Sequence, residues 1–544
     1  MTAEKKEIAT ALEEIALLLE LAGESSFKSR AFEVAARAIE RFEGGVEDAI
    51  AAGLASIPGI GKSTAAQIES LARTGASPLL DELRAQFPEG VREFLRLPGL
   101  GPKRARAIWQ DLGVASITDL EDACIENRLR ALPGFGEKTQ SKLLWEISLY
   151  RGRLGLFLLP AAWEAAQEVL GGGRKWTRIE IAGELRRQIE VLREVLFVAE
   201  GPYVEESMRT AGGIPVRILR RPREIFEACW LWESVSEEHR VSLAARAIER
   251  GFAFGAEGFR KDGQPLHLDE DGIYRALGLE PVHPLLRELP AERAPHPGAL
   301  VGPESIHGVF HVHTTDSDGA GTVEEMVIEA ARLGYGWIGI SDHSRTPVYA
   351  NGLSVERLRA QGAAIREIQK RHPSIRIFHG TESDILPDGS LDYDDEALGE
   401  LDFVVASIHS AMRMPREAMT RRIEKALRHP ATTHWGHPSG RLLLTREPYE
   451  CDDDHLLEVC AESGVSVEFN AHPYRLDLDW RRIPRAIELG IPISINPDAH
   501  RPEGLADARL TVGTAAKGGL TPAGIMNSRK AEEIASWLSK RRRS

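Results

Sequence analysis

The sequence predicts a multidomain α/β chain: an all-α N-terminal region, a mixed α+β middle and a C-terminal barrel of parallel strands. Three observations carry this. A length of 544 residues is more than one hydrophobic core serves, at about 100–200 residues per domain. One turn phrase recurs three times within residues 1–150. After residue 306, seven apolar runs alternate with amphipathic segments, and nearly every run ends in His, Asp or Glu. Hydrophobic residues at 42% and charged residues at 28% exclude wholesale disorder and a fibrous repeat.

Residues 1–150 have apolar side chains at helical spacing, such as Ile8, Leu12, Ile15 and Leu19. The repeated phrase is IPGIGKSTAAQI (57–68), LPGLGPKRARAI (97–108) and LPGFGEKTQSKL (132–143). A Pro-Gly-apolar-Gly turn repeated between helices is the signature of a helix-hairpin-helix array. The paired glycines, Gly59 and Gly61, Gly99 and Gly101, Gly134 and Gly136, let the backbone approach a phosphate. The helix that follows turns its N-terminal N–H groups and positive dipole end toward that phosphate. Lys62, Lys103, Arg104 and Lys138 add charge beside the turns. Such turns also join helices without any ligand, but three copies followed by basic residues favour DNA, held through phosphate and sugar and so without sequence preference. The net charge of −14 excludes a nucleic-acid coat protein, which needs an extended positive field, and leaves room for local patches.

Residues 151–285 mix strand and helix signals, with RIEIAGELRR (178–187), VLREVLFVAEG (191–201) and IPVRILRRP (214–222). Residues 286–305 are rich in Pro and polar groups and read as a linker. From 306 to 544 the βα alternation implies a parallel barrel, whose side chains converge where strands end and loops begin. The candidate metal ligands there are His311, His313, Asp318, His343, Glu382, His409, His437, Asp498 and His500. Imidazole and carboxylate without thiolate suit Zn²⁺, Mn²⁺ or Fe²⁺, and nine ligands exceed what one tetrahedral ion uses, so two or three divalent ions are expected. Strand alternation puts His311 and His313 on one face, and likewise Asp498 and His500. His379, His434 and His472 lack a paired acid and read as bystanders. Asn470 and Arg475 are candidate contacts for substrate phosphate. The four cysteines, without a CxxC pair, read as packed hydrophobes. The absence of a long apolar run and of a cleavage site after the charged first segment predicts a cytoplasmic protein with no membrane partner. Nothing calls for an obligate protein partner.

The motifs HVHTTDSDG, SDH, SIHS, GHPSGRLLL, EFNAHPYRLDL and PDAH resemble the polymerase-and-histidinol-phosphatase (PHP) family. The resemblance implies a distorted (β/α)7 barrel with a trinuclear cluster. His311, His313, Glu382 and Asp498 would hold one ion, Glu382, His409 and His437 a second, and Asp318, His343 and His500 the third. It also implies metal-assisted hydrolysis of a phosphate ester, with catalysis resting on His343, Glu382 and Asp498. Three hairpins, a mixed middle domain and a PHP barrel, in that order, resemble the bacterial family X DNA polymerases over the whole chain. Against that family the palm is degenerate. GELRRQIEVLREVLFV (183–198) places Glu184 at a serine position and Glu194 and Leu196 at two aspartate positions, and VRIL (216–219) places Arg217 at the third. WESVSEEH (232–239) stands where a Thr-Gly-Ser turn belongs, and the lyase lysine falls on Gln67. Nucleotidyl transfer needs about three carboxylates around two cations, which a Glu, a Leu and an Arg do not supply. The expected function is a metal-dependent phosphoric-ester hydrolase on DNA, a 3′–5′ exonuclease or 3′-end-processing enzyme of DNA repair, without polymerase activity. The alternatives are a gap-filling polymerase of base excision repair, with Glu194 and Glu190 as ligands, and a histidinol-phosphatase-like enzyme, for which the hairpins would be superfluous.

Overall fold

The structure, a computed structural model, describes residues 5–541 apart from 43, 126–127, 137–138, 141, 145, 148–149, 151–154, 174–175, 297 and 348–349. The chain divides into two compact units, Met1–Leu154 and Gly155–Ser544.

The first unit is helical, and Ile8, Leu12, Ile15 and Leu19 are buried as their spacing predicts. The three repeats fold into equivalent turns. In each, the apolar residue between the glycines returns its N–H to the carbonyl three residues back: Ile60 to Ile57 at 3.0 Å, Leu100 to Leu97 at 3.0 Å and Phe135 to Leu132 at 3.3 Å. The leading glycines Gly59, Gly99 and Gly134 have φ of 94°, 83° and 83°, a region that strains any residue with a Cβ. Gly61 and Gly101 precede the helices Lys62–Thr74 and Pro102–Leu112, leaving Lys62, Lys103 and Arg104 exposed in the first turns. Arg104 also donates from Nη1 to the Gly99 carbonyl at 3.0 Å, bracing its own hairpin. Gly136 is exposed beyond the third turn, while Lys138 lies outside the described residues. Gln67 accepts a hydrogen bond from Ser77 Oγ at 2.7 Å, and Ser77 caps the next helix, so this side chain serves the local fold.

In the second unit, after the helix Leu159–Gly171, comes a four-stranded sheet. Its strands are β1 (Ile179–Ala182), β2 (Val195–Glu200), β3 (Val204–Arg209) and β4 (Pro215–Arg221), in spatial order β1-β2-β4-β3. β2 and β4 are parallel and the outer pairs antiparallel. His239, on a neighbouring helix and 0% exposed, donates from Nδ1 to the Leu289 carbonyl and accepts at Nε2 from the Tyr274 hydroxyl, both at 2.7 Å. Burial lowers its pKa to about 4. The unfolded chain therefore takes this proton first, so the stabilisation is complete above about pH 6.5 and lost as pH falls toward 4, worth about 3 kcal/mol. A His239→Gln variant should lose correspondingly less stability than the parent between pH 7.5 and 4.5, measured by urea unfolding. Equal losses would refute the assignment.

Seven parallel strands follow: β5 (Gly308–Val309), β6 (Trp337–Ile340), β7 (Arg376–Asp384), β8 (Phe403–Ser407), β9 (His434–Trp435), β10 (Ser466–Asn470) and β11 (Ile493–Asn496), each paired to the next. A parallel bridge between Val312 and Ala499 and a hydrogen bond from Phe310 N to Asn496 Oδ1 at 3.0 Å bring the first and last strands together, so the barrel is nearly closed. Phe310, Trp337, Phe378 and Phe403 pack with Ile534 and Leu538 of the helix Ala531–Arg541. Trp337, Phe378 and Phe403 lie at or near the starts of β6, β7 and β8, so with Phe310 they plug that end and leave the chemistry to the opposite rim.

The segment 286–305 is not a free tether. Leu286, Ala291, Ala294 and Val301 are buried, and Val301 N donates to the Leu520 carbonyl at 2.9 Å. Its proline and polar content marks the loss of regular secondary structure, not of packing. None of the described helices is long and apolar enough to cross a membrane. None of the four cysteines forms a disulfide, and three of them are buried.

Candidate metal centre

All nine predicted ligands meet at the rim where the barrel strands end. Their donor atoms form four overlapping groups, each spanning no more than 4.8 Å: His313, Asp318, His343 and His500; His311, His313 and Glu382; His311, His437 and Asp498; His343, Glu382 and His409. Glu382, at the end of the longest strand β7, joins them. Its Oε1 lies 2.8 Å from His437 Nε2 and 3.2 Å from both His311 Nε2 and His409 Nε2, and its Oε2 lies 2.9 Å from His343 Nδ1. Asp498 Oδ1 is 3.2 Å from His313 Nε2. The set grades outward, from His311, His313 and Glu382 in the interior to Asp318 and His500, whose side chains are 25% and 40% exposed.

The electrostatics follow from this crowding. Burial alone would raise the Glu382 carboxyl, but His409, His311 and His343 hold it well below the usual range. For Asp498 the same opposing burial is overcome chiefly by His311, again placing it well below. Burial would lower His311, yet Glu468, Asp498 and Glu382 raise it well above its ordinary value. Burial, reinforced by His500 and His343, takes His313 down to about 4, and burial with Arg475 takes His437 down to about 4. His409 and His500 go up to about 9 against their burial, the first through Glu382 and the second through Asp318.

The donor set fits divalent cations. His311 Nε2, both ring nitrogens of His313, His343 Nδ1 and Glu382 Oε2 are buried without a hydrogen-bond partner. Carboxylates stand close to several of them, but not in hydrogen-bond alignment. Buried polar atoms are nearly always satisfied, and a shared cation is a partner that this many converging lone pairs can take.

The local backbone differs from the expected strand alternation. β5 ends at Val309, and His311 (φ 57°), His437 (φ 25°) and Asp498 (φ 51°) lie in the left-handed region. These residues reach the cluster through sparsely populated backbone conformations at strand ends, of the kind that accumulates at functional sites, rather than through the two-residue period.

Sequence reasoning missed the residues that orient the ligands. Glu468, 0% exposed in β10, takes His311 Nδ1 at 2.7 Å and the backbone N–H of His437 at 3.0 Å. Asp384 accepts from His409 N at 3.0 Å, and Asp342 accepts from Thr314 N at 2.7 Å. Glu468 thus holds the second nitrogen of a candidate ligand's imidazole and fixes its orientation and basicity, whereas Asp384 and Asp342 hold backbone N–H groups beside the site. An acid within a fully buried strand was the available signal. The expectation for Asn470 is corrected: it is buried and donates to Glu468 Oε1 at 2.9 Å and Asp498 Oδ2 at 3.1 Å, holding carboxylates rather than facing substrate. Arg475 is at the rim, its Nε 3.2 Å from Asp498 Oδ2 and its Nη1 without a partner. His434 is buried against Phe310, with ring centroids 4.5 Å apart.

The palm positions are arranged differently. Arg217 Nη2 lies 2.7 Å from Glu194 Oε1, Leu196 is buried, and Leu196 and Arg217 are direct partners across β2 and β4. Glu184 accepts from Arg193 N at 3.4 Å. Glu190 is 5% exposed and faces Arg481 Nη1 at 3.2 Å. In the 232–239 segment Ser236 caps a helix. Among the described residues, the groups able to hold a metal all lie in the barrel.

Three stretches of the chain match known domains. Residues 3–77 match the model of a helix-hairpin-helix domain, 91–148 that of a SAM-like helix-hairpin-helix tandem and 310–472 that of a PHP domain. The chain is 32% identical over 568 aligned positions, 98% of its own length and 99% of the relative's, to the DNA polymerase/3′-5′ exonuclease PolX of Bacillus subtilis. It is 29% identical to a probable phosphatase of Caldicellulosiruptor saccharolyticus over 37% of this chain and 83% of that protein. It is 30% identical to the Holliday junction branch migration complex subunit RuvA of an Acidovorax species over 18% of this chain and 51% of that protein.

Proposed function

The chain belongs to the PolX family, and from that membership we propose that it is a cytoplasmic, DNA-binding 3′–5′ exonuclease or 3′-end-processing phosphoesterase whose palm has lost nucleotidyl transfer. The observation that carries the reading is the contrast between nine converging ligands in the barrel and a palm whose one retained acid, Glu194, is bound to Arg217. Two or three divalent ions, Zn²⁺, Mn²⁺ or Fe²⁺, fit the donor set, with His343, Glu382 and Asp498 central to holding them. When bound, such ions lower the pKa of water and stabilise charge on the phosphoryl and leaving oxygens. The residues do the rest. Glu468 fixes the His311 imidazole and Asp384 the backbone of His409, Arg475 offers its unpartnered Nη1 to a non-bridging phosphate oxygen, and Asp318 and His500 stand at the entrance.

The test is a gel assay of metal-reconstituted protein on 3′-labelled and 5′-labelled primer-template DNA, with and without dNTPs. Shortening from the 3′ end is expected, and extension without shortening rejects the proposal. A second reading, a gap-filling polymerase, is favoured by identity to PolX that runs through the palm, and the same assay decides it.

The helix-hairpin-helix unit supplies the grip on DNA in this reading, through Gly59, Gly61, Gly99, Gly101, Gly134 and Gly136 and the neighbouring Lys62, Lys103, Arg104 and Lys138. Exchanging Lys62 and Lys103 for Glu should weaken binding to duplex DNA by about tenfold or more. It should also reduce the slope of log affinity against log salt by about one for each phosphate that is no longer neutralised. Hydrolysis of bis(p-nitrophenyl) phosphate should be unchanged. Anisotropy titrations over a salt series measure the first two effects, and an unaltered slope rejects phosphate binding at these lysines.

A further inference from the structure

The loop that leaves His437 carries Arg441, whose side chain is 12% exposed. Its guanidinium closes the turn that follows β10. Nε donates to the carbonyl of Arg475 at 2.9 Å, Nη2 to the carbonyl of Leu476, and Nη1 to Asp479 Oδ2 at 2.6 Å. One side chain thus holds the backbone from which Arg475 reaches Asp498. The grip is anchored from outside the barrel. Glu190, in the palm, lies 3.2 Å from Arg481 Nη1 and 3.9 Å from Arg441 Nη2, and Arg481 Nη1 lies 3.0 Å from Asp479 Oδ1. The two acids and two guanidinium groups balance. The palm segment around Glu190 is pinned on its other side, where Lys517 Nζ donates to the Arg187 carbonyl at 2.8 Å and to Glu288 at 2.7 Å.

We infer that the palm is retained as a brace for the phosphate-binding arm of the metal centre: Glu190, Asp479 and Arg441 are positioning residues that hold the 475–476 turn and so keep Arg475 at the cluster. Removing Glu190 leaves two cations facing one acid; Arg481 is 56% exposed and regains water, but Arg441, 12% exposed, loses a counter-charge that solvent does not replace, and its hold on the turn loosens. The inference rests on the reading that Arg475 takes the substrate phosphate, and it predicts coupling between a palm residue and substrate affinity in the barrel.

The test uses the full chain, metal-reconstituted, with bis(p-nitrophenyl) phosphate as a small diester that bypasses the hairpins and inorganic phosphate as a ligand titrated by calorimetry. Glu190→Gln and Arg441→Met should each raise KM and weaken phosphate binding by about five- to tenfold, with kcat within about twofold and metal content unchanged by plasma mass spectrometry. Arg441→Lys, which keeps the charge but not the fork, should show the same direction and guards against a misfolded Met variant. In an Arg475→Ala background neither substitution should do anything more, because residues acting through one group are not additive. Single variants without effect on KM, effects that persist without Arg475, or loss of metal would each overturn the brace. Arg475→Ala with unaltered KM and phosphate affinity would instead overturn the role of Arg475 itself.

Discussion

Replacing Glu382 by Gln is expected to abolish phosphodiester cleavage, lowering the rate by about a thousandfold or more. The side chain is 1% exposed, and four imidazoles lie within 3.2 Å of its oxygens. Glutamine preserves volume and so packing, but it replaces an anion that only accepts by an amide that must point two N–H donors at ligand nitrogens. The overlap of groups at this residue means that the loss is felt by more than one ion. Metal analysis should therefore show fewer ions per chain, while circular dichroism and the unfolding temperature stay near those of the parent, since the barrel core lies below this rim. A variant that keeps both its metal complement and its cleavage rate would remove Glu382 from the centre of the site.

The features that prove legible in the sequence are those with a local physical cause. A glycine at φ near 90° is required by the turn itself, so Gly59, Gly99 and Gly134 announce three hairpins wherever they occur. Alternation of apolar runs with helices fixes a parallel sheet, and the position of a ligand just after an apolar run fixes its rim. What the sequence hides depends on distant partners. That His311 and Asp498 adopt left-handed backbone follows from how β5 and β11 close the barrel, which no neighbouring residue encodes. Glu468 sits in an apolar strand and pairs with His311, 157 positions away, so its role appears only once the strands are side by side. Asn470 departs from expectation for the same reason: an amide beside a candidate ligand can face substrate or a carboxylate, and the same ambiguity covers Glu190, a metal ligand only in the polymerase alternative, which faces Arg481. Segment 286–305 shows that composition speaks to regular structure and not to burial.

On primed template DNA with dNTPs and either Mg²⁺ or Mn²⁺, the chain is expected to add no nucleotides above background, and the cleanest measurement is made on the Glu382→Gln variant, where degradation cannot mask synthesis. Two-metal transfer needs about three carboxylates to bring both cations to the triphosphate and the primer hydroxyl. The residue before β2, β2 itself and β4 offer Glu194, the buried Leu196 and Arg217 at the corresponding places. Glu194 is not spare, because Arg217 holds it at 2.7 Å, and this hydrogen bond also raises the Arg217 pKa further, so the guanidinium remains a fixed cation where divalent ions would have to sit. Arg217→Ala frees that carboxylate but adds none. It should leave synthesis undetectable while weakening the β2–β4 edge only slightly, since the pair is more than one-third exposed on the arginine side and exposed pairs contribute about 0–1 kcal/mol. Glu190 cannot be recruited in compensation without abandoning Arg481 and Arg441. Metal-dependent incorporation by the cleavage-silent variant would show that other carboxylates do the work, and the palm would then be a working polymerase beside the barrel.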